Sequence, residues 1–487
     1  MLFKTKSCTS AAVMLFAFFV TTIVTSCSKS GDPTGGGVTS VTITSFSFQQ
    51  AGNSIPVAST GAIAGNNINV FLPPGTSATS LIASFTLSAP ATVTVNGVLQ
   101  QSNTTANDFS KPVTYTIAAP GSSPVSYTVN LITSIAAIDQ GVAVFMSKYN
   151  VPGLSIAITL NEQLVYLNSY GKASLEDNQN TTIKSLFRIS SLSKPITSAA
   201  IMRLLDQGRI NLDQNVFGPN GILGTSYGSQ PYGPGIANIT VRELLHHTEG
   251  GWPDDSTDPF GQNLNLSPQN IVGWGLDNVP LQDTIPGRSF YYSHFGYVVL
   301  GRVIEKITGV PYEQAVQNLI LQPSGIADMQ IGHNTLAARL PNEVRYYNGT
   351  GVNPYVVNIS QQDAANGWVA SAADMAKFMV NVDGLSGKTI LTKTAINAMT
   401  AGSDANSKYA CGWEINSLNW WHDGRLPGTG TTMAITTQLG NFNYIILANT
   451  SNADPNFTAD EQNIFWNNVP AVTAWPTYDL FSTGLVK

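Results

Sequence analysis

The chain has 487 residues, of which 43% are hydrophobic and 11% charged, with 23 Lys+Arg against 29 Asp+Glu for a formal net charge of -6. That length holds about two or three domains, and the apolar share excludes wholesale disorder. No run of basic residues occurs, which excludes a nucleic-acid partner, and three cysteines (Cys8, Cys27, Cys411) cannot form a disulfide framework.

The first 26 residues read as an address. Lys4 and Lys6 are followed by an uncharged apolar stretch from Ala11 to Val24, short for a membrane span of ~20 residues but suited to a secretory signal. Val24-Thr25-Ser26-Cys27 resembles the lipobox of bacterial lipoproteins, with Val where Leu is usual. The resemblance implies acylation of Cys27 and a membrane-anchored protein of the bacterial cell envelope, facing periplasm or surface. The alternative is an ordinary signal cut elsewhere, with Cys27 a bystander. Residues 27–37 form a polar, Gly-rich tether. Cys411 would remain as the only thiol, expected in a buried strand and inert.

Residues 38–133 have the texture of a small β-sandwich. Val41 to Phe48 alternates apolar and polar, and Val113 to Ala118 and Val125 to Leu131 alternate again. Ala91–Val95 and Val98–Gln101 flank Asn96-Gly97, a hairpin turn signal. Short strands with turn signals between them predict an antiparallel sandwich. The module resembles the Ig-like spacers of bacterial surface lipoproteins. It is expected to lift the next domain off the membrane; carbohydrate or protein binding is the other reading.

From residue 134 to 487 the pattern changes. Ile135 to Tyr149 carries apolar residues at helical spacing, and Leu154–Leu160 and Leu164–Leu167 read as strands. Next comes Ser191-Leu-Ser-Lys194 at the head of a helix expected to stop at Gly208; Pro195 is tolerated in its first turn. Ser191 and Lys194, three apart, share one helix face. A serine hydroxyl needs a neighbour to take its proton, and a desolvated lysine can do so. Alone, an S-x-x-K is as readily a helix cap followed by a surface lysine. Tyr292-Ser293-His294 precedes a helix whose apolar face runs from Val299 to Ile307, with Gly309 as its stop. Trp420-Trp-His422-Asp-Gly424-Arg425 precedes two strand-like runs, Met433–Thr437 and Tyr444–Ala448.

In this order, and with Thr240-Val-Arg-Glu-Leu-Leu-His-His-Thr-Glu-Gly250 and Gly367-Trp-Val-Ala-Ser-Ala-Ala-Asp-Met-Ala-Lys-Phe378, these segments resemble the serine β-lactamase-related family. That family holds class C β-lactamases, penicillin-recognising DD-peptidases, D-aminopeptidases and several esterases. The resemblance implies an α+β fold: an antiparallel sheet flanked by helices, plus a helical subdomain over about Leu204 to Tyr347, with the site in the cleft between them. It implies Ser191 as nucleophile and Lys194 as base. Tyr292, as a partial phenolate beside Lys194, would move the proton between Ser191 and the leaving group. His422 and Gly424 belong to the third motif, and the backbone N–H groups of Ser191 and Arg425 would form the oxyanion hole. Such pre-aimed amides contribute about 3–4 kcal/mol each. The implied reaction acylates Ser191 and then hydrolyses the acyl-enzyme, with a small-molecule or peptide substrate and no cofactor.

Three positions depart from the family pattern. His294 replaces an Asn that touches the lysine and the substrate's amide side chain. His422 replaces a Lys, so a neutral imidazole stands where a fixed ammonium would attract a substrate carboxylate. Glu249 replaces a Ser. The histidines favour an esterase, D-aminopeptidase or DD-carboxypeptidase type over an efficient β-lactamase, and the Arg425 side chain is a candidate replacement charge. The other function class is a catalytically weak binding or receptor protein of the same fold.

Several features are given structural roles. Gly224-Thr-Ser226-Tyr-Gly228 sits in loop-like sequence, without the strand–turn–helix context of a nucleophile elbow. His246 and His247 are expected to be packed and hydrogen-bonded, and Trp420-Trp421 to be strand packing. No metal site is expected, since H-E-x-x-H and paired cysteines are absent.

Overall fold

The computed structural model describes residues 40–486 apart from 74–75, 133, 263–265, 386 and 483–485. The signal, Cys27 and the tether lie outside the described residues.

The N-terminal module is built from strands between Ile43 and Ile132. The Asn96-Gly97 turn joins Thr92–Val95 to Val98–Leu99, and both turn residues have positive φ, 49° and 79°, as a two-residue hairpin requires. Ser59–Ala64 pairs first with Ile43–Phe48 and then, from Gly61 onward, with Asn67–Phe71. One strand thereby serves both layers. Between the layers Phe46, Phe48, Phe109 and Tyr115 meet mostly edge to face, with centroids 5.0 to 5.6 Å apart. The expectation of a purely antiparallel module is corrected at one ladder: Asn67–Phe71 runs parallel to Val125–Ile132. The strands that intervene supply the long crossover such a pair needs.

Beyond the helix Ala136–Tyr149, the rest of the chain centres on an antiparallel sheet of seven strands. Its order is Gln179–Asn180, Gln163–Ser174, Gly153–Leu160, Phe442–Ala448, Thr429–Thr436, Asn419–Leu426 and Glu414–Ile415. Alternation along these strands sorts side chains between two cores. Ile156, Ile158, Tyr444 and Ile446 face the helices Ala136–Tyr149 and Phe457–Trp466. Ala157, Met433, Ile445 and Leu447 face the opposite layer, which holds the helices Ser193–Asp206 and Ala372–Val380.

The helical region carries Val241–His246, Pro268–Asn278 and His294–Thr308 as its larger helices. Local chemistry fixes their ends. Thr240 and Glu243 form a capping box, as do Ser371 and Asp374 ahead of Ala372–Val380, so each landmark segment contains a helix start, the second after the short strand Trp368–Ala370. Ser293 caps His294–Thr308 by accepting from the Gly296 N–H, and left-handed Gly309 (φ 79°) ends it. The helix that follows Ser191 spans Ser193–Asp206 and is followed by Gly208 at φ 65°. Ser226 is exposed in a loop. Trp420 meets Trp413 edge-on at 6.1 Å, a packing contact.

Candidate active site

Ser191 lies in a single 3-10 turn, Ser190–Leu192, that runs directly into the helix Ser193–Asp206. The preceding Ser190 takes a left-handed conformation (φ 51°), which is costly for a residue with a Cβ. It is held there by its hydroxyl, which donates to the Arg425 carbonyl at 3.0 Å. Thr431 donates to the Ile189 carbonyl at 3.1 Å, so two bonds staple the turn to the sheet. Gly424 permits this approach. A Cβ there would lie 2.2 Å from Thr431 Oγ1 and 2.5 Å from the Ile189 carbonyl oxygen. The third motif's glycine is therefore a spacer between the strand and the Ser190–Leu192 turn.

Lys194 is fully buried, and its ammonium has three acceptors: Ser191 Oγ at 3.1 Å, His294 Nδ1 at 3.0 Å and the Ala365 carbonyl at 3.3 Å. Desolvation pulls its pKa down to about 7, against the opposing pull of Asp254 and Asp258. At neutral pH a large share of the lysine is therefore amine. The Ser191 hydroxyl donates to Asn366 Oδ1 at 3.0 Å, and the Asn366 amide donates to Gln362 Oε1 at 2.6 Å, which sets the carboxamide's orientation. Loss of one lysine proton leaves two N–H groups for His294 and Ala365.

The Tyr292 ring lies 4.8 Å from Lys194 Nζ. The structure corrects the expectation of a partial phenolate. Burial raises the phenol above its ordinary value, an effect that interaction with Ser191 only partly offsets, and the phenol stays protonated. Among these groups, Lys194 is the one whose pKa is lowered to about 7.

His294 bridges Lys194 to a residue the sequence did not suggest. Its Nδ1 meets Lys194 Nζ, and its Nε2 meets Asp254 Oδ2 at 3.0 Å. Burial and the lysine charge hold its pKa low, so the imidazole is neutral. Desolvation pushes Asp254 up, but the hydrogen bond from His294 and the nearby Lys194 charge leave it below the ordinary carboxylate range. Asp254 is tied to the second motif by its own N–H, which donates to the Tyr292 carbonyl at 2.8 Å.

His422 is close to Tyr292, with ring centroids 6.1 Å apart, but both of its nitrogens are occupied. Nδ1 lies 2.7 Å from the Asp423 carbonyl, so it carries the proton, and Nε2 accepts from the Tyr409 hydroxyl at 3.1 Å. The Tyr409 oxygen in turn accepts from His247 Nε2 at 3.1 Å, and His247 Nδ1 accepts from the Ser293 N–H at 3.0 Å. One set of tautomers satisfies this whole chain from the second motif to the third. Burial and the nearby lysine charge hold His422 down to about 3, so it is neutral.

Ser191, Lys194, Tyr292, His294, Gly424 and His422 are thus gathered in one place. The Arg425 backbone lies beside the nucleophile turn, but its side chain points elsewhere, which corrects its reading as a replacement charge. The guanidinium lies over the Phe457 ring at 4.3 Å and bonds Thr458 on the opposite face of the sheet. Strand alternation gives the reason: His422 and Gly424 share one face, while Asp423 and Arg425 take the other, where Gln462 also meets Asp423. Cys411 is buried as expected but lies in a bend and not a strand; burial pushes its thiol up to about 12. His246 bonds the Ala401 carbonyl at 3.0 Å, a packing role. Glu249 is fully buried; a Cβ on Gly296 would lie 3.1 Å from its Oε1, and desolvation keeps its carboxyl protonated.

Asp254, Asn366 and Tyr409 escaped the sequence reading. Asn366 directly precedes the Gly367-Trp landmark, a position that could have flagged it; Asp254 and Tyr409 lie in loops with no local signature.

Comparison with known proteins agrees with this organisation. A family model described as SGBP, N-terminal matches residues 43–131. Protein flp of Staphylococcus aureus is 24% identical over 317 residues, covering 62% of this chain and 60% of that protein. The chain thus spans about 60% of the length of that curated relative. Among solved structures, the D-amino acid amidase from Ochrobactrum anthropi SV3 complexed with L-phenylalanine aligns with a TM-score of 0.58 at 22% identity, covering 70% of this chain and 99% of that one. EstCE1, a hydrolase with promiscuous acyltransferase activity, aligns with a TM-score of 0.56 at 19% identity, covering 68% and 100%. At these identities the likeness concerns the fold. The β-lactamase family model matches residues 136–466, two-thirds of the sequence, and the chain belongs to that family.

Proposed function

We propose that this protein is a serine hydrolase that forms an acyl-enzyme on Ser191 and cleaves esters or amides without relying on a substrate carboxylate. The observation that carries this reading is the 3.1 Å contact between Ser191 Oγ and a buried lysine whose pKa is about 7. Such a lysine is a base matched to neutral pH. Neutral Lys194 takes the Ser191 proton as Oγ attacks the acyl carbon. Backbone N–H groups of Ser191 and Arg425 receive the negative charge on the former carbonyl oxygen. The proton on Lys194, passed through the Tyr292 phenol, goes to the leaving oxygen or nitrogen as its bond to the acyl carbon breaks. Water then attacks the ester and gives one proton to Lys194, which passes it to Ser191 Oγ as the ester bond breaks, restoring the hydroxyl and the neutral lysine as the acid product leaves.

The acyl preference rests on His422. Its two nitrogens are occupied and it is neutral, while Arg425 faces away, so neither third-motif residue offers a fixed cation to a substrate carboxylate. The hydrolase, acyltransferase and amidase activities named for the structural neighbours are consistent with this. The experiment compares nitrophenyl butyrate, a D-amino-acid amide and nitrocefin at matched enzyme concentration. Faster turnover of the ester or amide supports the reading; faster turnover of nitrocefin overturns the preference. If none turns over and a fluorophosphonate fails to label the folded protein, the binding-protein reading stands instead. The envelope location belongs to the same proposal, and radiolabelled palmitate incorporation that is lost in Cys27→Ala is its test.

A further inference from the structure

We propose that Asp254 and His294 act as a positioning pair behind the base, the carboxylate fixing the imidazole tautomer so that Nδ1 receives an N–H of Lys194 and leaves the lysine lone pair aimed at Ser191. The inference deepens the Ser191–Lys194 reading and depends on it.

A neutral imidazole carries one donor and one acceptor, and the partner of one nitrogen decides the role of the other. Asp254 Oδ2, 3.0 Å from Nε2, can only accept, so Nε2 carries the hydrogen. Nδ1 is then a bare acceptor, 3.0 Å from Lys194 Nζ. The opposite tautomer would aim N–H at the lysine; it would either repel the ammonium's hydrogen or occupy the amine's lone pair, the one electron pair the reaction needs. Four groups thus line up in sequence: carboxylate, imidazole, amine, hydroxyl.

The pair is anchored from both ends. His294 opens a helix capped by Ser293, which fixes its backbone. Asp254 is held to the same segment through the bond from its N–H to the Tyr292 carbonyl. The other ionisable groups around Lys194 leave this arrangement in charge. Tyr292 and Tyr297 present ring faces at 4.8 and 5.8 Å, and burial keeps both phenols protonated. His247 and His422 are neutral. Asp258 faces the lysine as a second acid; desolvation pushes it up to about 7. Among the described residues, Asp254 is the carboxylate in hydrogen-bond contact with His294.

The test is a double-mutant cycle read by the second-order rate of fluorophosphonate labelling of Ser191, which needs no knowledge of the natural substrate. Asp254→Asn replaces the acceptor by a side chain whose amide can donate to Nε2, favouring the wrong tautomer. We expect labelling to slow by about 10–100-fold, the usual cost of removing such a supporting carboxylate. The acidic limb of its pH profile should move to lower pH, because a negative charge near the lysine is lost. His294→Asn installs an amide that needs no carboxylate to orient it, so adding Asp254→Asn to that background should change the rate by less than about threefold. Histidine 15N resonances give a second readout, independent of reactivity. The protein has five histidines, and His294 should show a bare Nδ1 in the wild type and lose that signature in Asp254→Asn. Equal rate losses in both backgrounds, or an unchanged wild-type profile and resonance in Asp254→Asn, would overturn the positioning pair. If the wild type itself is not labelled at Ser191, the serine-hydrolase reading fails instead, and the resonance alone then decides the tautomer.

Discussion

Lys194 Nζ lies 3.1 Å from Ser191 Oγ, with three residues from one to the other on the same turn of chain. The short separation is local geometry, while the lysine's lowered basicity is tertiary, because it comes from burial by the sheet and the helical region. Rate and stability should therefore respond to pH through one amine.

The rate prediction follows from the protonation state that can act. Only neutral Lys194 accepts the Ser191 proton, so the labelling rate should climb about tenfold per pH unit below pH 7 and level off above it. Since the Tyr292 phenol is raised above its ordinary value of 10, no descending limb should appear up to that pH. A descending limb assigned to Tyr292 near pH 8, lost in Tyr292→Phe, would restore the phenolate reading.

The stability prediction has a definite sign. Lys194 has a folded pKa of about 7 and an ordinary value of 10.5, so between these limits the unfolded chain holds the extra proton. Folding stability should then rise with pH across that window, by at most about 1.4 kcal/mol per unit from this group. Chemical denaturation of wild type and Lys194→Met at several pH values checks it. Stability of the wild type relative to the variant should grow as pH rises from 7 toward 10.5, and a constant difference would contradict the burial argument.

Gly424→Ala should damage the site with no change in its reactive groups. The added methyl would sit 2.2 Å from Thr431 Oγ1 and 2.5 Å from the Ile189 carbonyl, so strand and nucleophile turn must separate. A cost of about 1–3 kcal/mol in stability is expected, with a loss of labelling rate larger than the stability change explains. Denaturation and labelling on the same preparation separate the two effects.

Tyr409→Phe breaks the chain between His247 and His422. It leaves a buried donor and a buried acceptor unpaired, at about 1–3 kcal/mol each. Lys194 keeps its three partners, so the acidic limb of the labelling profile should hold its position while the denaturation midpoint falls. A displaced limb would mean that the histidine–tyrosine chain tunes the base directly.

The legible parts of this molecule were those written locally. Alternation in Val113–Ala118, the Asn96-Gly97 turn, the helix stops at Gly208 and Gly309, and the S-x-x-K spacing all act within a few residues. The partners of the site were not local: Asp254 reaches His294 across 40 positions, Tyr409 reaches His247 across 162, and Asn366 reaches Ser191 across 175. The phenolate expectation failed for the same reason, since burial of Tyr292 is a property of the assembled fold. The Arg425 side chain was the avoidable error. Counting by twos from His422 along the strand places 424 inward and 425 outward. The parallel ladder of Asn67–Phe71 with Val125–Ile132 was hidden because short strands with tight turns signal only antiparallel neighbours.

The central claim is that Ser191 is the activated nucleophile, and site-resolved covalent labelling tests it most directly. A fluorophosphonate is applied to the folded protein at about pH 8, above the lysine's pKa, and the adduct is located by peptide mass spectrometry. The account predicts one adduct, on Ser191, absent in Ser191→Ala and strongly slowed in Lys194→Met. An adduct on Ser226 or another serine, or a folded wild type that stays unlabelled, would contradict it.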